Sequence, residues 1–244
     1  MKIETHCHSY HSFDSLAKIE DMINECKKKD IQALVLNDHD VCNISDEELD
    51  LFNKNNIKLI KAIEFTTFEG VHIIGIEDNI KNLQNEPFFY KAKDLVDQLL
   101  KTNAWIILPH PDHETGISGN KKISKEDSSY CLAKAHFIEK NNYRYGKSKD
   151  IENTLLKYKN LKLLVGSDAH KASDIGIFYN KLETVEENVF KSLYKNEYNC
   201  IITKERGRLY FFKRKIKKMK IYQFLLHQFS AEFRMTIKKK LGLI

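Results

Sequence analysis

The residues able to do chemistry begin at the sixth position. His6 and His8 stand two apart, directly after a short extended run. Along a β-strand, side chains two apart point to the same face. The two imidazoles therefore converge on one point, while Cys7 turns the other way. Paired neutral imidazoles suit a divalent transition metal. A single pair of this kind also arises by coincidence, so its weight depends on what joins it.

Much joins it. Asp38, His39 and Asp40 follow the apolar run 31–36, and Glu64 closes the run 57–65. His72 lies within 70–76, and His110 sits between two prolines after 104–108. Glu139 follows 135–138, and Asp168-Ala169-His170 follows 161–165 with the spacing of His6 and His8. Asp14 falls in the turn-like segment 9–15. Imidazole with carboxylate and no thiolate suits Zn, Mn or Fe.

To bring such a set together, the strand ends must meet. Each apolar run reads as a strand, with a last one near 181–185. Between them lie helical patterns near 16–29, 45–54, 88–101, 124–133, 149–158 and 186–195. Ser45 with Glu48 three residues later forms a capping-box signature. Strand and helix alternate about seven times, which implies an α/β fold with parallel strands and right-handed crossovers. Count and length favour a barrel over an open sheet. In such barrels the chemistry sits at the C-terminal ends of the strands. One polar residue at a strand end needs no explanation, but six successive strand ends supplying His or carboxylate point to a joint metal site.

The 244 residues suffice for a barrel-sized domain plus an appendage, with 42% hydrophobic and 30% charged residues. The five cysteines are scattered and odd in number, which fits free thiols in a reducing cytoplasm. The polar start does not read as a signal peptide. Charge is divided unevenly. Residues 204–244 hold 13 Lys/Arg against 2 Asp/Glu, a net +11, which leaves residues 1–203 with 27 against 32, a net −5. Apolar residues recur at helical spacing among the tail's lysines. This predicts a basic, helical C-terminal extension over 204–244. Its readings are a helix packed on the barrel, or a contact for an anionic membrane surface or nucleic acid. A cytoplasmic protein peripheral to a membrane would fit the former of those two contacts.

The ordered motifs His6-x-His8-Ser9, Phe13-Asp14-Ser15, Asn37-Asp38-His39-Asp40, Glu64, His72-Ile73-Ile74-Gly75, Pro109-His110-Pro111 and Gly166-Ser167-Asp168-Ala169-His170 resemble those of the PHP (polymerase and histidinol phosphatase) family. The resemblance implies a distorted (β/α)7 barrel over residues 1–203 with two or three divalent transition-metal ions. Its implied ligands are His6, His8, Asp14, His39, Glu64, His72, His110, Asp168 and His170, with Glu64 between two metals. Glu64, Asp168 and His39 are the residues on which turnover is expected to depend.

Most known members hydrolyse phosphoesters. A metal-bound hydroxide is then the expected nucleophile, because the cations lower the pKa of bound water. The expected substrate is a phosphorylated small molecule or an oligonucleotide, as monoester or diester. Two other classes stay open: an amidohydrolase-type enzyme cleaving a C–N or C–O bond, and a non-catalytic binding module with a relic site.

The chain departs from the family pattern in places. Ser15 stands where many members have Gly, and Asn37 where many have Thr. An Arg often found after the His110 motif is missing, which makes Arg144 and Lys171 the candidates for holding substrate phosphate. For both, the alternative is a solvated charge; for His72 it is a hydrogen-bonded core imidazole. Asp38, Asp40 and Glu139 are expected to orient imidazoles rather than bind metal. His11 and His113 are expected to be non-ligands, and Cys7 and Cys42 small buried residues.

Overall fold

The structure is a computed structural model that describes residues 1–77, 83, 85–140, 151–185 and 188–203. Arg144 and the basic segment 204–244 lie outside the described residues. No helix among the described residues is long and apolar enough to cross a membrane.

Nine strands form one barrel-shaped sheet: β1 (Lys2–Cys7), β2 (Ala33–Leu36), β3 (Lys58–Thr66), β4 (His72–Ile76), β5 (Trp105–Leu108), β6 (Phe137–Lys140), β7 (Lys162–Val165), β8 (Phe178–Lys181) and β9 (Asn199–Ile202). Their order is β7-β6-β5-β4-β3-β2-β1-β8-β9. The described helices are α1 (Ile19–Lys29), α2 (Asp46–Lys54), α3 (Ala92–Lys101), α4 (Lys125–Lys134), α5 (Ile151–Lys157) and α6 (Val189–Lys195).

The helices form for local reasons. In α1 the buried residues Ile19, Met22, Ile23 and Cys26 recur at helical spacing, and Asp30 ends the helix in a left-handed conformation at φ 57°. The capping box at α2 is complete: the Ser45 hydroxyl takes Glu48 N–H and the Glu48 carboxylate takes Ser45 N–H. Helix α3 starts at Ala92, later than the pattern over 88–101 predicts. Phe88, at φ 65°, is turned back so that its N–H meets Thr66 O at 2.8 Å.

The sheet is mixed, not uniformly parallel. β1-β2-β3 and β5-β6-β7 are parallel, whereas β4, β8 and β9 run antiparallel to their neighbours. Residues 67–71 are too few for a crossover, so β3 returns through a hairpin into β4. That return pairs Thr66 with His72 and brings His72 back beside Glu64. The strand expected near 181–185 is β8, which starts three residues earlier and ends four residues earlier, and β9 was not expected at all.

Asn180 explains why β8 does not look like a strand. Its side-chain amide accepts Val165 N–H at 3.1 Å and donates to Val165 O at 2.9 Å. It thus serves β7 as a neighbouring backbone would. Together with Thr5 Oγ1, which donates to Val165 O at 2.9 Å, it draws β7 against β1 and β8. Farther along, Ala169 N–H meets His6 O and His8 N–H meets Ala169 O.

An irregularity in β1 sets the aim of the histidines. The register against β2 shifts between Glu4 and Cys7. Ile3 packs with Ala33, Val35 and Phe137 among the strands, whereas Cys7 packs with Met22 and Cys26 of α1. In a regular strand both would share a face. The extra residue reverses the phase, so His6 and His8 face the site and Cys7 faces the helix.

Candidate metal centre

Nine donor side chains gather at one end of the barrel, and each comes from a strand end or the turn after it. His6 and His8 close β1; His39 follows β2; Glu64 lies on β3; His72 opens β4; His110 follows β5; Asp168 and His170 follow β7. Asp14 comes from the loop between β1 and α1.

Glu64 is the hub, and it is fully buried. One carboxylate oxygen, Oε1, lies 3.0 Å from His72 Nδ1 and 3.1 Å from His110 Nε2. The other, Oε2, lies 3.0 Å from His6 Nε2 and 3.1 Å from His8 Nε2. His39 Nδ1 is 3.7 Å from the same Oε2. Asp168 Oδ1 completes the first group, 3.6 Å from His6 Nε2 and 3.3 Å from His8 Nε2. A further group stands beside it: Asp14 Oδ2 lies 2.6 Å from His170 Nε2 and 3.7 Å from His39 Nε2. His72 therefore faces Glu64 and is hydrogen-bonded to it.

The spacing tests whether a cation fits. A tetrahedral ion with bonds of about 2.0–2.1 Å places its donor atoms about 3.3 Å apart. His6 Nε2 and His8 Nε2 each lie 3.0–3.6 Å from Glu64 Oε2 and Asp168 Oδ1, with 3.2 Å between the two imidazole nitrogens. His8 Nδ1 and His39 Nδ1 are buried without a hydrogen-bond partner among the described residues. Among the described residues, three sets of donor atoms lie close enough for an ion: His6, His8 and Glu64; His39, Glu64 and His72; His8, His39 and His170. The residues present fit divalent metal ions.

Electrostatics agree. Burial alone would raise the Glu64 carboxyl, but His6, His39, His72 and the His110 hydrogen bond hold it well below the usual range. Burial would likewise depress His6 and His8. The carboxylates of Glu139, Glu64 and Asp168 instead hold His6 well above its ordinary value. Asp168 and Glu64 hold His8 at about 9. Burial, with His8 and His72 nearby, lowers His39 to about 4, so its ring stays neutral. Carboxylates that retain protons on two imidazoles will also hold a cation in their place, and binding then releases those protons.

The supporting residues divide more finely than expected. Glu139 does orient an imidazole: Oε1 takes His6 Nδ1–H at 2.9 Å and Oε2 takes His110 N–H at 3.0 Å. Asp38 and Asp40 do not. Asp38 takes the N–H and hydroxyl of Ser9, and Asp40 takes those of Thr66. The two acids hold backbone on either side of His39, a role that their sequence position beside a histidine disguised. The short hydroxyl residues close to His8 and Glu64 were the available signal. Asp40, His110 and Asp168 all adopt left-handed backbone, at φ 54°, 29° and 49°. Such conformations cost about 1–3 kcal/mol each and collect at functional sites.

His11 binds Glu48, and His113 Nδ1 meets Thr115 Oγ1, so neither joins the donor groups. Cys7 donates its thiol to Val35 O, away from the site, and Cys42 is half-buried. Lys171 is exposed and directly follows His170.

Residues 4–204 match the PHP domain, and the chain belongs to that family. The family and the donor cluster together define a metal-dependent hydrolase. No curated protein matches the chain significantly. Several solved structures share the fold. A two-domain protein from Bacteroides vulgatus, described as containing a predicted PHP-like metal-dependent phosphoesterase, is 19% identical with a TM-score of 0.64, over 89% of this chain and 69% of its own. Endonuclease Q, in complex with a 27-mer duplex bearing an abasic lesion, is 17% identical with a TM-score of 0.60, over 78% of this chain and 55% of its own. An amidohydrolase from Chromobacterium violaceum with bound sulfate is 15% identical with a TM-score of 0.52, over 78% of this chain and 95% of its own.

Proposed function

We propose that this chain hydrolyses a phosphoester, as a monoester or diester of a phosphorylated small molecule or an oligonucleotide. The observation that carries the reading is Glu64, whose two oxygens address two separate sets of imidazoles. Such a carboxylate would serve two cations, and paired cations suit the charge of a phosphoryl group.

His6, His8, Glu64 and Asp168 would hold one ion; Glu64, His72 and His110 a second; Asp14 and His170 a third, with His39 serving one of the last two through a single ring nitrogen. Zn, Mn and Fe all suit this donor set. When bound, the ions supply an activated water near neutral pH and neutralise phosphate oxygens. Glu64 holds the sets in register. Asp168 is placed to orient the attacking water, and neutral His39 would do so through the ring nitrogen that holds no ion. Lys171 is the described candidate for a phosphate contact, and Arg144 is a second. On charge alone, the 204–244 extension is read as a separate segment that contacts an anionic membrane surface or nucleic acid. A cytoplasmic location is part of the same reading.

The second reading is hydrolysis of a C–N or C–O bond, favoured by the amidohydrolase that shares the fold. A panel of phosphomonoesters, phosphodiesters and amides offered to the manganese-loaded protein separates the two. Turnover of a phosphoester, lost in Glu64→Gln and Asp168→Asn while both variants stay folded, is the expected result. Turnover of amides alone would overturn the proposal.

A further inference from the structure

The loop that supplies Asp14 has an unusual division of labour. Ser12 and Ser15 are buried and hold it: His39 N–H donates to Ser12 Oγ, Ser12 Oγ donates to Asp14 Oδ1, and Ser15 Oγ donates to His8 O. Between and beside these anchors stand Phe13 and Leu16, exposed at 83% and 85%. The Phe13 ring nevertheless lies only 5.3 Å, centroid to centroid, from the His39 imidazole. Leu16 N–H reaches His170 O at 3.4 Å. A large apolar residue thus sits in water on each side of a metal-ligand candidate, on backbone that is pinned.

Scattered exposed apolar side chains need no explanation, but clustered ones do. Among the described residues eight large hydrophobics are exposed, and six belong to the site-bearing end of the barrel: Tyr10, Phe13, Leu16, Phe68, Phe88 and Phe89. Phe68 lies in the β3–β4 hairpin turn and Phe88 and Phe89 lie beside it, where Phe88 N–H meets Thr66 O and Phe68 N–H meets Tyr90 O. Five of the six are aromatic. Rings at a rim offer stacking faces and offer sugar hydroxyls no partner.

Resting on the phosphoesterase reading, we propose that Phe13 is a specificity-determining residue. It forms the inner edge of an aromatic rim that selects phosphoesters whose esterified group carries a flat ring. A nucleobase and a simple aryl group share that chemistry. The phosphate would enter the donor cluster while the ring lies over Phe13.

The test uses full-length, manganese-loaded protein as wild type, Phe13→Ala and Phe13→Trp. Adenosine 5′-monophosphate, phenyl phosphate and ribose 5-phosphate are compared by kcat/KM. The ratio of ring-bearing to ring-less turnover should fall about tenfold in Phe13→Ala and be kept in Phe13→Trp. A larger fall for the nucleotide assigns the ring to a nucleobase, and a larger fall for phenyl phosphate to an aryl group. An equal loss on all three esters would overturn the inference while leaving the phosphoesterase reading intact. If no ester turns over, that reading fails, and binding then decides on Phe13 alone. Adenosine 5′-monophosphate should quench the fluorescence of Phe13→Trp more than ribose 5-phosphate does, and equal quenching would overturn the inference.

Discussion

Asp38 grips Ser9 with both carboxylate oxygens, taking its N–H at 2.6 Å and its hydroxyl at 2.7 Å. The bond ties the turn after β2 to the residue that follows His8. Asp40 repeats the arrangement on Thr66, at 2.6 and 2.8 Å, two residues beyond Glu64. His39 sits between the two clamps, so three donors are fixed relative to one another before any cation arrives. Asp38→Ala leaves the buried Ser9 N–H without its acceptor. The expected loss is about 3 kcal/mol, read as a fall in Tm of roughly 6–12 °C at this chain length. A Tm within a degree of wild type would show that the clamp is idle.

Glu139 acts one step away from the donors. It fixes the Nδ1 proton of His6 and thereby turns Nε2 toward Glu64 and Asp168. Glu139→Gln keeps the shape but presents an N–H₂ to one of two N–H donors. Metal affinity should fall about 10–100-fold, measured by competition with a chromogenic chelator, with the far-UV circular dichroism unchanged.

Gly166 makes that contact possible. A Cβ there would lie 2.0 Å from Glu139 Oε1 and 2.6 Å from His6 Cβ. Gly166→Ala must displace Glu139 from His6. The variant should lose about 1–3 kcal/mol of stability and bind metal as weakly as Glu139→Gln. Wild-type affinity in Gly166→Ala would contradict the role assigned to Glu139.

One acid-sensitive contact lies away from the donor cluster. Ile106 N–H donates to His136 Nδ1 at 3.1 Å, so that nitrogen keeps its lone pair. Burial lowers the pKa of this imidazole. The unfolded chain, titrating near about 6.5, therefore takes up the proton first as pH falls. The contribution is complete above that value and is lost on acidification toward the folded pKa, by at most about 1.4 kcal/mol per pH unit. Urea midpoints between pH 8 and pH 5 should fall less steeply in His136→Asn than in wild type, and parallel slopes would refute the assignment.

The donor set was legible because its signal is local: residues of known ligand chemistry recur at the ends of apolar runs. The barrel followed from the same alternation. The antiparallel strands were harder to see. A hairpin as short as 67–71 and a parallel crossover differ in loop length more than in strand composition, and β8 carries Asn180 because a side chain there stands in for backbone. The phase reversal in β1 was hidden as well, since His6 and His8 share a face whether or not Ile3 joins them. Asp38 and Asp40 look like helpers of His39 in one dimension and prove to hold Ser9 and Thr66 in three. Phe13 was read only as part of a motif, because exposure is a property of the folded chain.

Glu64 joins two sets of donor atoms, and the metal content of the protein decides whether those sets hold cations. Elemental analysis of protein purified without chelator should find about two or more transition-metal ions per chain. Glu64→Ala, which removes the shared carboxylate, should retain clearly fewer while remaining folded. Wild-type protein that carries no metal, and takes up none from added manganese or zinc, would contradict the account.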